Sequence, residues 1–114
     1  MLEKVAAVVA RYEELNSLLA DPEVISDPAR LRDLAQEQAS LAELAETYHR
    51  YQAVVRELES TEEMLRGPLE EEMAELAREE VETLRRQRDG LYEEMRRLLL
   101  PTDPRDERNV IVEI

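Results

Sequence analysis

Residues 29 to 66 contain neither glycine nor proline, so no residue in this stretch of 38 interrupts a regular helix. Apolar side chains recur along it at alternating steps of three and four residues, which places them on one stripe of an α-helix. The stripe comprises Leu31, Leu34, Gln38, Leu41, Leu44, Tyr48, Tyr51, Val55, Leu58 and Leu65. Because Asp27 is a good N-cap and Pro28 suits the first helical position, we predict a helix from Pro28 to Arg66, roughly 58 Å long.

A shorter helix is predicted before this one, from Leu2 to Ala20. Its apolar stripe comprises Leu2, Val5, Val9, Tyr12, Leu15 and Leu19. The pair Asp21-Pro22 ends it, since proline lacks a backbone donor and clashes with the preceding turn. In the connection that follows, we expect Val24 and Ile25 to pack against the helices and not to form a strand.

A third helix is predicted from Pro68 to Leu100, after Gly67 and Pro68 end the second. Its stripe comprises Leu69, Met73, Leu76, Leu84, Arg88, Leu91, Met95 and Leu98. Glutamates at 70 to 72 in the first turn, and arginines at 96 and 97 near the end, complement the helix dipole. Gly90 is the weak point, costing about 1 kcal/mol relative to alanine, and we expect it to allow close packing or a slight bend.

The composition agrees with an all-helical chain. Ala, Leu, Glu and Arg favour helices, Cys, Trp and Phe are absent, and charged residues reach 38%. A very short turn joins the second helix to the third, so these two must be antiparallel neighbours. We therefore predict an all-α, three-helix antiparallel coiled-coil-like arm, in which a short helix packs on a long helical hairpin. Three helices should meet at the end near Pro101, and only two at the end near Gly67.

The character of the sequence changes after residue 100. Residues 101 to 108 are charged and contain two prolines, and we assign them to a linker. Residues 109 to 114 are rich in β-branched side chains and predict the start of a β-strand. Because a lone strand has no ladder partner, we interpret 109–114 as the first strand of a truncated second domain, and 1–100 as a helical N-terminal arm.

The formal net charge of −13 limits the possible partners. Binding to phosphates or to an anionic membrane requires surplus Lys and Arg, so broad nucleic-acid binding and membrane binding are disfavoured. A basic protein surface is the better partner. The charged start at Glu3 and Lys4 does not resemble a secretory signal, no apolar stretch approaches membrane-spanning length, and cysteine is absent. We therefore expect a cytoplasmic location.

The sequence offers few groups for catalysis or metal binding. Glu46-x-x-His49 has the spacing of a metal-binding helix face, but His49 is the only histidine and both residues lie off the apolar stripe, which favours an exposed surface. The glutamate runs at 62–63, 70–72, 79–80 and 93–94 accompany no nucleophile or general base, and adjacent carboxylates point in different directions around a helix. We predict no catalytic, cofactor-binding or metal-binding residue and no enzymatic activity.

Two further groups of side chains have both a structural and a functional interpretation. Tyr48, Tyr51 and Tyr12 lie on apolar stripes and are predicted to belong to the core, with Tyr92 at the periphery. The basic half of the third helix comprises Arg85, Arg86, Arg88, Arg96 and Arg97. For these arginines we favour salt bridges with acidic neighbours, and a local contact with RNA or an acidic protein is the alternative.

The segment Leu98-Leu99-Leu100-Pro101-Thr102-Asp103-Pro104-Arg105-Asp106-Glu107-Arg108-Asn109 resembles the junction after the first domain of bacterial class I peptide chain release factors of the type that reads UAA and UAG. Helix, proline-bounded linker and strand follow one another there in this order, and the likeness extends over essentially the whole chain. The resemblance implies a role in translation termination on the ribosome. It also implies that the helical domain reaches toward the stalk-base protein and the GTPase-associated centre, with interplay with the recycling GTPase.

In that family a tripeptide containing Pro and Thr reads the stop codon, and a Gly-Gly-Gln loop promotes hydrolysis of peptidyl-tRNA. This sequence has no Gly-Gly pair, and Pro101-Thr102-Asp103 lies in a linker. The resemblance therefore implies a docking domain that neither reads codons nor releases peptide. Two alternatives stay open: a generic coiled-coil scaffold or oligomerisation element, and a tRNA-binding hairpin arm, which the net charge disfavours.

Overall fold

The computed structural model describes residues 1–99, which form four helices and no strand. The helices are α1 (Leu2–Leu19), α2 (Pro22–Ile25), α3 (Pro28–Arg66) and α4 (Glu71–Leu99). The predicted all-α class is confirmed. The predicted linker at 101–108 and strand at 109–114 lie outside the described residues. None of the helices between residues 1 and 99 has an apolar stretch long enough to cross a membrane.

The start of α3 agrees with its sequence. The side chain of Asp27 accepts a hydrogen bond from the backbone N–H of Arg30 at 3.3 Å, and Pro28 occupies the first helical position. In the connection before it, Asp21 caps the single turn of α2 by accepting from the N–H of Glu23 at 2.9 Å. Asp21 and Asp27 each supply an acceptor to a helix N-terminus whose first N–H groups have no partner within the helix.

The one-turn helix α2 was not predicted. It places Val24 and Ile25, which were both expected to pack against the helices, in different environments. Val24 is fully buried, as predicted, but Ile25 is 52% exposed, so the prediction for Ile25 was wrong. Consecutive residues of a helical turn point roughly 100° apart, and in α2 the Val24 side chain points into the protein while that of Ile25 points toward solvent.

Three helices meet in a cluster of buried side chains near the C-terminal end of α4. This central cluster contains Val5 and Val9 of α1, Leu44 and Ala45 of α3, and Met95 of α4. Half-buried side chains that pack around it are Met1, Leu2, Val8, Tyr12, Tyr48, Tyr51, Leu98 and Leu99. The predicted three-helix end of the arm is therefore confirmed.

The other end of the hairpin is held by α3 and α4 alone. Its hairpin cluster consists of Leu58, Val81 and Leu84, with Val54 and Leu65 packed against them. No residue of α1 or α2 belongs to this cluster within the described chain. The predicted two-helix end is also confirmed.

The buried stripe of α4 differs from the predicted one in its first turns. Met73 and Leu76 were predicted to be buried but are 48% and 61% exposed, whereas Ala77 and Val81 are buried. The steps from Ala77 to Val81 and on to Leu84 are four and three residues, so they continue the stripe that leads to Met95. Leu76 lies one residue, or about 100°, off this stripe. Met73 lies four residues before Ala77 and is in phase with the stripe, but it is exposed in the first turn of α4.

An ion pair that the sequence did not predict fastens α1 to α3. Arg11 donates from Nε and Nη2 to the two carboxylate oxygens of Glu37, each at 2.8 Å. These hydrogen bonds lower the pKa of the Glu37 carboxyl below its ordinary value and raise that of the Arg11 guanidinium. Nearby, the Gln38 amide donates to Asn16 Oδ1 at 2.7 Å. These polar contacts lie outside the central cluster, so α1 is attached to α3 at two places.

Replacing Gly90 by alanine should raise the free energy of unfolding by about 0.5–1 kcal/mol. Gly90 lies within α4, and a Cβ at this position would meet no atom within 4 Å, so the chain's own packing does not require a glycine. Chemical unfolding followed by circular dichroism would measure the change. Gly67→Ala is the matched control, because Gly67 lies outside the helices and has a negative φ of −96°, so no helical gain is expected there. A loss of stability in Gly90→Ala would contradict the prediction.

Candidate functional site

The candidate site is the hairpin tip, which we define as residues 61–80. It contains the end of α3, the link at 67–70 and the first turns of α4. Gly67 is extended, with φ −96° and ψ 179°, because the ring of Pro68 disfavours helical backbone in the residue before it. This ends α3 at Arg66, and α4 begins at Glu71, three residues later than the predicted start at Pro68.

Three large apolar side chains are exposed together at the hairpin tip. Met64, Met73 and Leu76 have exposed fractions of 46%, 48% and 61%. With Thr61, Ala77 and Glu80 they line a shallow groove of about 240 Å³. A single exposed apolar residue needs no explanation, but adjoining ones at the end of a projecting hairpin are typical of a contact surface. We call Met64, Met73 and Leu76 the tip patch.

The tip patch lies in an acidic surface. Residues 61–80 contain eight glutamates and two arginines, a formal net charge of −6. Both arginines are already paired, Arg66 with Glu63 at 2.6 Å and Arg78 with Glu71 at 3.1 Å. Five of the eight tip glutamates form no ion pair with any side chain among residues 1–99: Glu70, Glu72, Glu75, Glu79 and Glu80. The tip therefore presents apolar side chains surrounded by uncompensated carboxylates.

This combination is suited to binding a protein. Methionine is flexible and polarizable, so the two methionines can adapt to an irregular apolar partner. The surrounding carboxylates attract Lys and Arg and repel phosphate groups. The tip is therefore complementary to an apolar protein surface with a basic rim.

The structure places the candidate metal motif away from the tip. Glu46 and His49 are both exposed, and His49 Nε2 lies 3.7 Å from Glu13 Oε2 of α1, a contact the sequence did not predict. Among residues 1–99 no group of three or more His, Cys, Asp or Glu side chains is arranged to hold a metal ion.

Several arginines of the basic half of α4 pair with acidic neighbours, as predicted. Arg85 bridges the hairpin to Glu62 at 3.0 Å. Arg88 pairs with Asp89 at 3.0 Å and Arg96 with Glu93 at 3.0 Å. Arg86 and Arg97 make no ion pair within the described part of the chain, and Arg86 instead donates to the Thr83 hydroxyl at 3.4 Å. Three of the five arginines in the basic half of α4 are therefore paired with carboxylates.

The tyrosines surround the core and do not form a site. Tyr12, Tyr48 and Tyr51 are half-buried and pack on the central cluster, which agrees with the prediction. Tyr92, which was predicted to be peripheral, is half-buried and is not among the residues packed on the central cluster; its ring centroid lies 6.4 Å from that of Tyr51. Tyr51 and Tyr92 thereby join α3 to α4 next to the central cluster.

Comparisons with known proteins agree on one family. The chain matches the model of the PCRF domain over residues 8–114. It is similar to proteins named peptide chain release factor 1 from Geobacillus sp. (strain WCH70), Listeria monocytogenes and Geobacillus kaustophilus. Each is 46% identical over 114 residues, which is 100% of this chain and 32% of the relative. The chain thus spans about a third of the length of these relatives. No solved structure matches it significantly.

Proposed function

Because this chain belongs to the PCRF domain family and corresponds to the helical N-terminal domain of bacterial release factors of the type named release factor 1, we propose that it acts in translation termination. Its proposed role is to dock a release factor on the ribosome. Stop-codon reading and peptidyl-tRNA hydrolysis are assigned to segments outside this chain. The observation that carries the docking role is the tip patch of Met64, Met73 and Leu76 within an acidic surface.

The proposed partner is the stalk-base protein at the GTPase-associated centre, with the recycling GTPase as a second contact. Ribosomal surfaces that combine apolar and basic side chains are complementary to the hairpin tip. The carboxylates would increase the rate of encounter through charge attraction, and the tip patch would slow dissociation once apolar contacts form. The domain would then position the release factor on the ribosome and would take no part in a chemical step.

The alternative function, a coiled-coil oligomerisation element whose exposed two-helix end pairs with itself, is less well supported. Self-pairing would bring two hairpin tips together, each with a net charge of −6. Like charges held that close repel each other, and only bound cations or high salt would offset the repulsion.

The 114-residue chain should sediment with purified ribosomes weakly, and this binding should fall steeply as salt rises from about 0.05 M to about 0.5 M. The physical reason is that charge attraction between exposed groups is screened beyond a Debye length. The measurement is the bound fraction at each salt concentration, with circular dichroism to show that the helices persist. Ribosomes that lack the stalk-base protein are the control and should bind less. Equal binding at low and high salt would contradict the proposal.

A further inference from the structure

A second groove lies between α3 and α4, between the tip and the central cluster. It has a volume of about 600 Å³, and its lining includes Ala53 and Val54 of α3 and Gly90 and Leu91 of α4. We call it the Gly90 groove. Within the part of the chain that the structure describes, no residue of α1 or α2 lines this groove or the shallow groove at the tip. Both grooves therefore belong to the hairpin alone.

The Gly90 groove and the groove at the tip lie on one face of the hairpin. Positions 73, 76, 80, 83, 87, 90 and 94 of α4 follow one another at alternating steps of three and four residues, so they share one side of that helix. The same alternation on α3 joins Arg50, Val54, Glu57, Thr61 and Met64. The two grooves are therefore parts of one trough, roughly 30 Å long from position 73 to position 94. We call it the hairpin trough.

The floor of the hairpin trough is apolar and open near Gly90. Val54 and Leu91 are half-buried there, whereas Gly90 and Ala53 are exposed. A Cβ at position 90 would meet no atom within 4 Å, and a glycine inside a helix is unfavourable relative to alanine, so the packing of the chain itself does not explain this glycine. Because Gly90 and Ala53 have no side chain beyond Cβ, another backbone can approach the hairpin closely at this point.

The backbone of the hairpin determines which form an occupant of the trough can take. The N–H and C=O groups along α3 and α4 are bonded within each helix, so the trough offers no row of free groups like the edge of a sheet. A segment that lies in the trough must satisfy its own backbone hydrogen bonds, as an α-helix does. A trough of roughly 30 Å accommodates a helix of about 20 residues. Such a helix would be the third helix at the two-helix end of the arm.

The charges along the trough indicate the chemistry of its occupant. Four charged side chains line it or lie between its two grooves, with a formal sum of −2: Arg50, Glu57, Glu80 and Glu94. Beside them on α4, Glu79 and Arg86 add one charge of each sign. None of these six forms an ion pair among residues 1–99. An apolar floor bordered by uncompensated carboxylates is complementary to an apolar stripe flanked by Lys and Arg.

We propose that the hairpin trough binds one amphipathic, basic α-helix of the protein partner, lying lengthwise between the tip patch and Gly90. This inference rests on the proposed docking role of the tip patch and specifies the form of its partner. The apolar stripe of the bound helix, with anchors at i, i+3, i+4 and i+7, packs on Val54, Leu91 and the tip patch. Its Lys and Arg side chains lie beside Glu57 and Glu80.

Gly90→Leu tests the trough on the ribosome. The added side chain fills the Gly90 groove, and because leucine favours helix and has free space here, the fold is retained, as circular dichroism would show. We expect its ribosome binding at low salt, measured by cosedimentation, to be roughly tenfold weaker than that of the unmodified chain. Ala35→Leu is the matched control: it also places a leucine at an exposed helical position, lines neither groove and should bind normally.

The outcomes separate this inference from the docking role. If Gly90→Leu binds ribosomes as well as Ala35→Leu while Leu76→Glu loses binding, the tip patch remains the docking site and the trough is rejected. Full binding by Leu76→Glu would overturn the docking role of the tip and this inference with it. Loss of binding in both Gly90→Leu and Leu76→Glu, with Ala35→Leu unaffected, supports both.

A designed peptide tests the form of the occupant. The probe is a fluorescent peptide of about 20 residues made of Leu and Lys, with its leucines on one helical stripe. The comparison peptide has the same composition, but its leucines are spread around the helix. By fluorescence anisotropy, the striped peptide should bind the 114-residue chain with a Kd at least ~10-fold lower, and Gly90→Leu should remove most of this difference. Equal binding of the two peptides, or striped-peptide binding that Gly90→Leu leaves unchanged, would refute the proposal.

Discussion

Met95→Ala should lower the free energy of unfolding by about 3 kcal/mol. Met95 is fully buried where α1, α3 and α4 meet, next to Val5 and Leu44. Truncating it removes buried methylene groups and leaves a cavity that three helices cannot close without moving. Because a domain of this size is stable by about 5–15 kcal/mol in total, the loss is a large fraction. Urea unfolding followed by circular dichroism measures it.

The matched control is Met73→Ala, which removes the same atoms from the same helix. Met73 is 48% exposed at the tip patch, so we expect its unfolding free energy to stay within about 0.5 kcal/mol of the unmodified chain. If the two variants lost equal stability, the three-helix junction would not be the main core of the arm.

Leu76→Glu should weaken ribosome binding by roughly tenfold or more, with little effect on folding. Leu76 is 61% exposed and adjoins Met64 and Met73, so the change places a charge in the middle of the proposed contact. A partner that buries this position would have to bury an unpaired carboxylate, which costs free energy. Cosedimentation with ribosomes at low salt measures the loss, and thermal unfolding shows that the fold is intact.

Ile25→Glu is the matched control for this second prediction. Ile25 is 52% exposed and belongs to α2, outside the hairpin tip, and the substitution gives the chain the same net charge as Leu76→Glu does. We expect Ile25→Glu to bind ribosomes nearly as well as the unmodified chain. An equal loss in both variants would mean that total charge governs binding, and would reject the tip patch as the docking site.

The architecture of the arm could be predicted because the spacing of apolar residues and the positions of proline and glycine indicate the same helices along most of the chain. Leu44 and Leu58 lie on one continuous stripe of α3, and each is buried in a different cluster. Gly67 and Pro68 leave only a short link, so α4 must return along α3. These signals are local, and periodic spacing alone determines which face is buried.

Other features could not be predicted from spacing. They depended on which of two apolar faces of a helix is buried, or on which side chains of different helices form ion pairs. Met73 and Leu76 were assigned to the apolar stripe, yet both are exposed, and the buried residues of α4 begin at Ala77 and continue through Val81 and Leu84 to Met95. The hydrogen bonds from Arg11 to Glu37 join residues 26 positions apart. Many acidic partners were available to Arg11, so the sequence alone could not select Glu37.

The candidate site was predicted only in its charge. The excess of glutamate indicated an acidic surface for a basic partner, but the tip patch was not predicted, because Met73 and Leu76 had been counted as core and Met64 had been assigned no role. For Leu76 the signal is its phase: Ala77, Val81 and Leu84 follow one another in steps of four and three residues, and Leu76 lies one residue, or about 100°, off that stripe. Large apolar residues that fall out of phase with the stripe are candidates for a contact surface.

The two clusters lie at different distances from the tip, and this makes the hairpin a lever. From Glu71 to Met95, α4 is roughly 36 Å long at 1.5 Å per residue. If the central cluster is the fulcrum, a tilt of about 5° there displaces the tip by roughly 3 Å, comparable to a hydrogen-bond length. Conversely, a force applied at Met64 and Leu76 acts through this long arm, so even a small force produces a large torque on the packing around Met95.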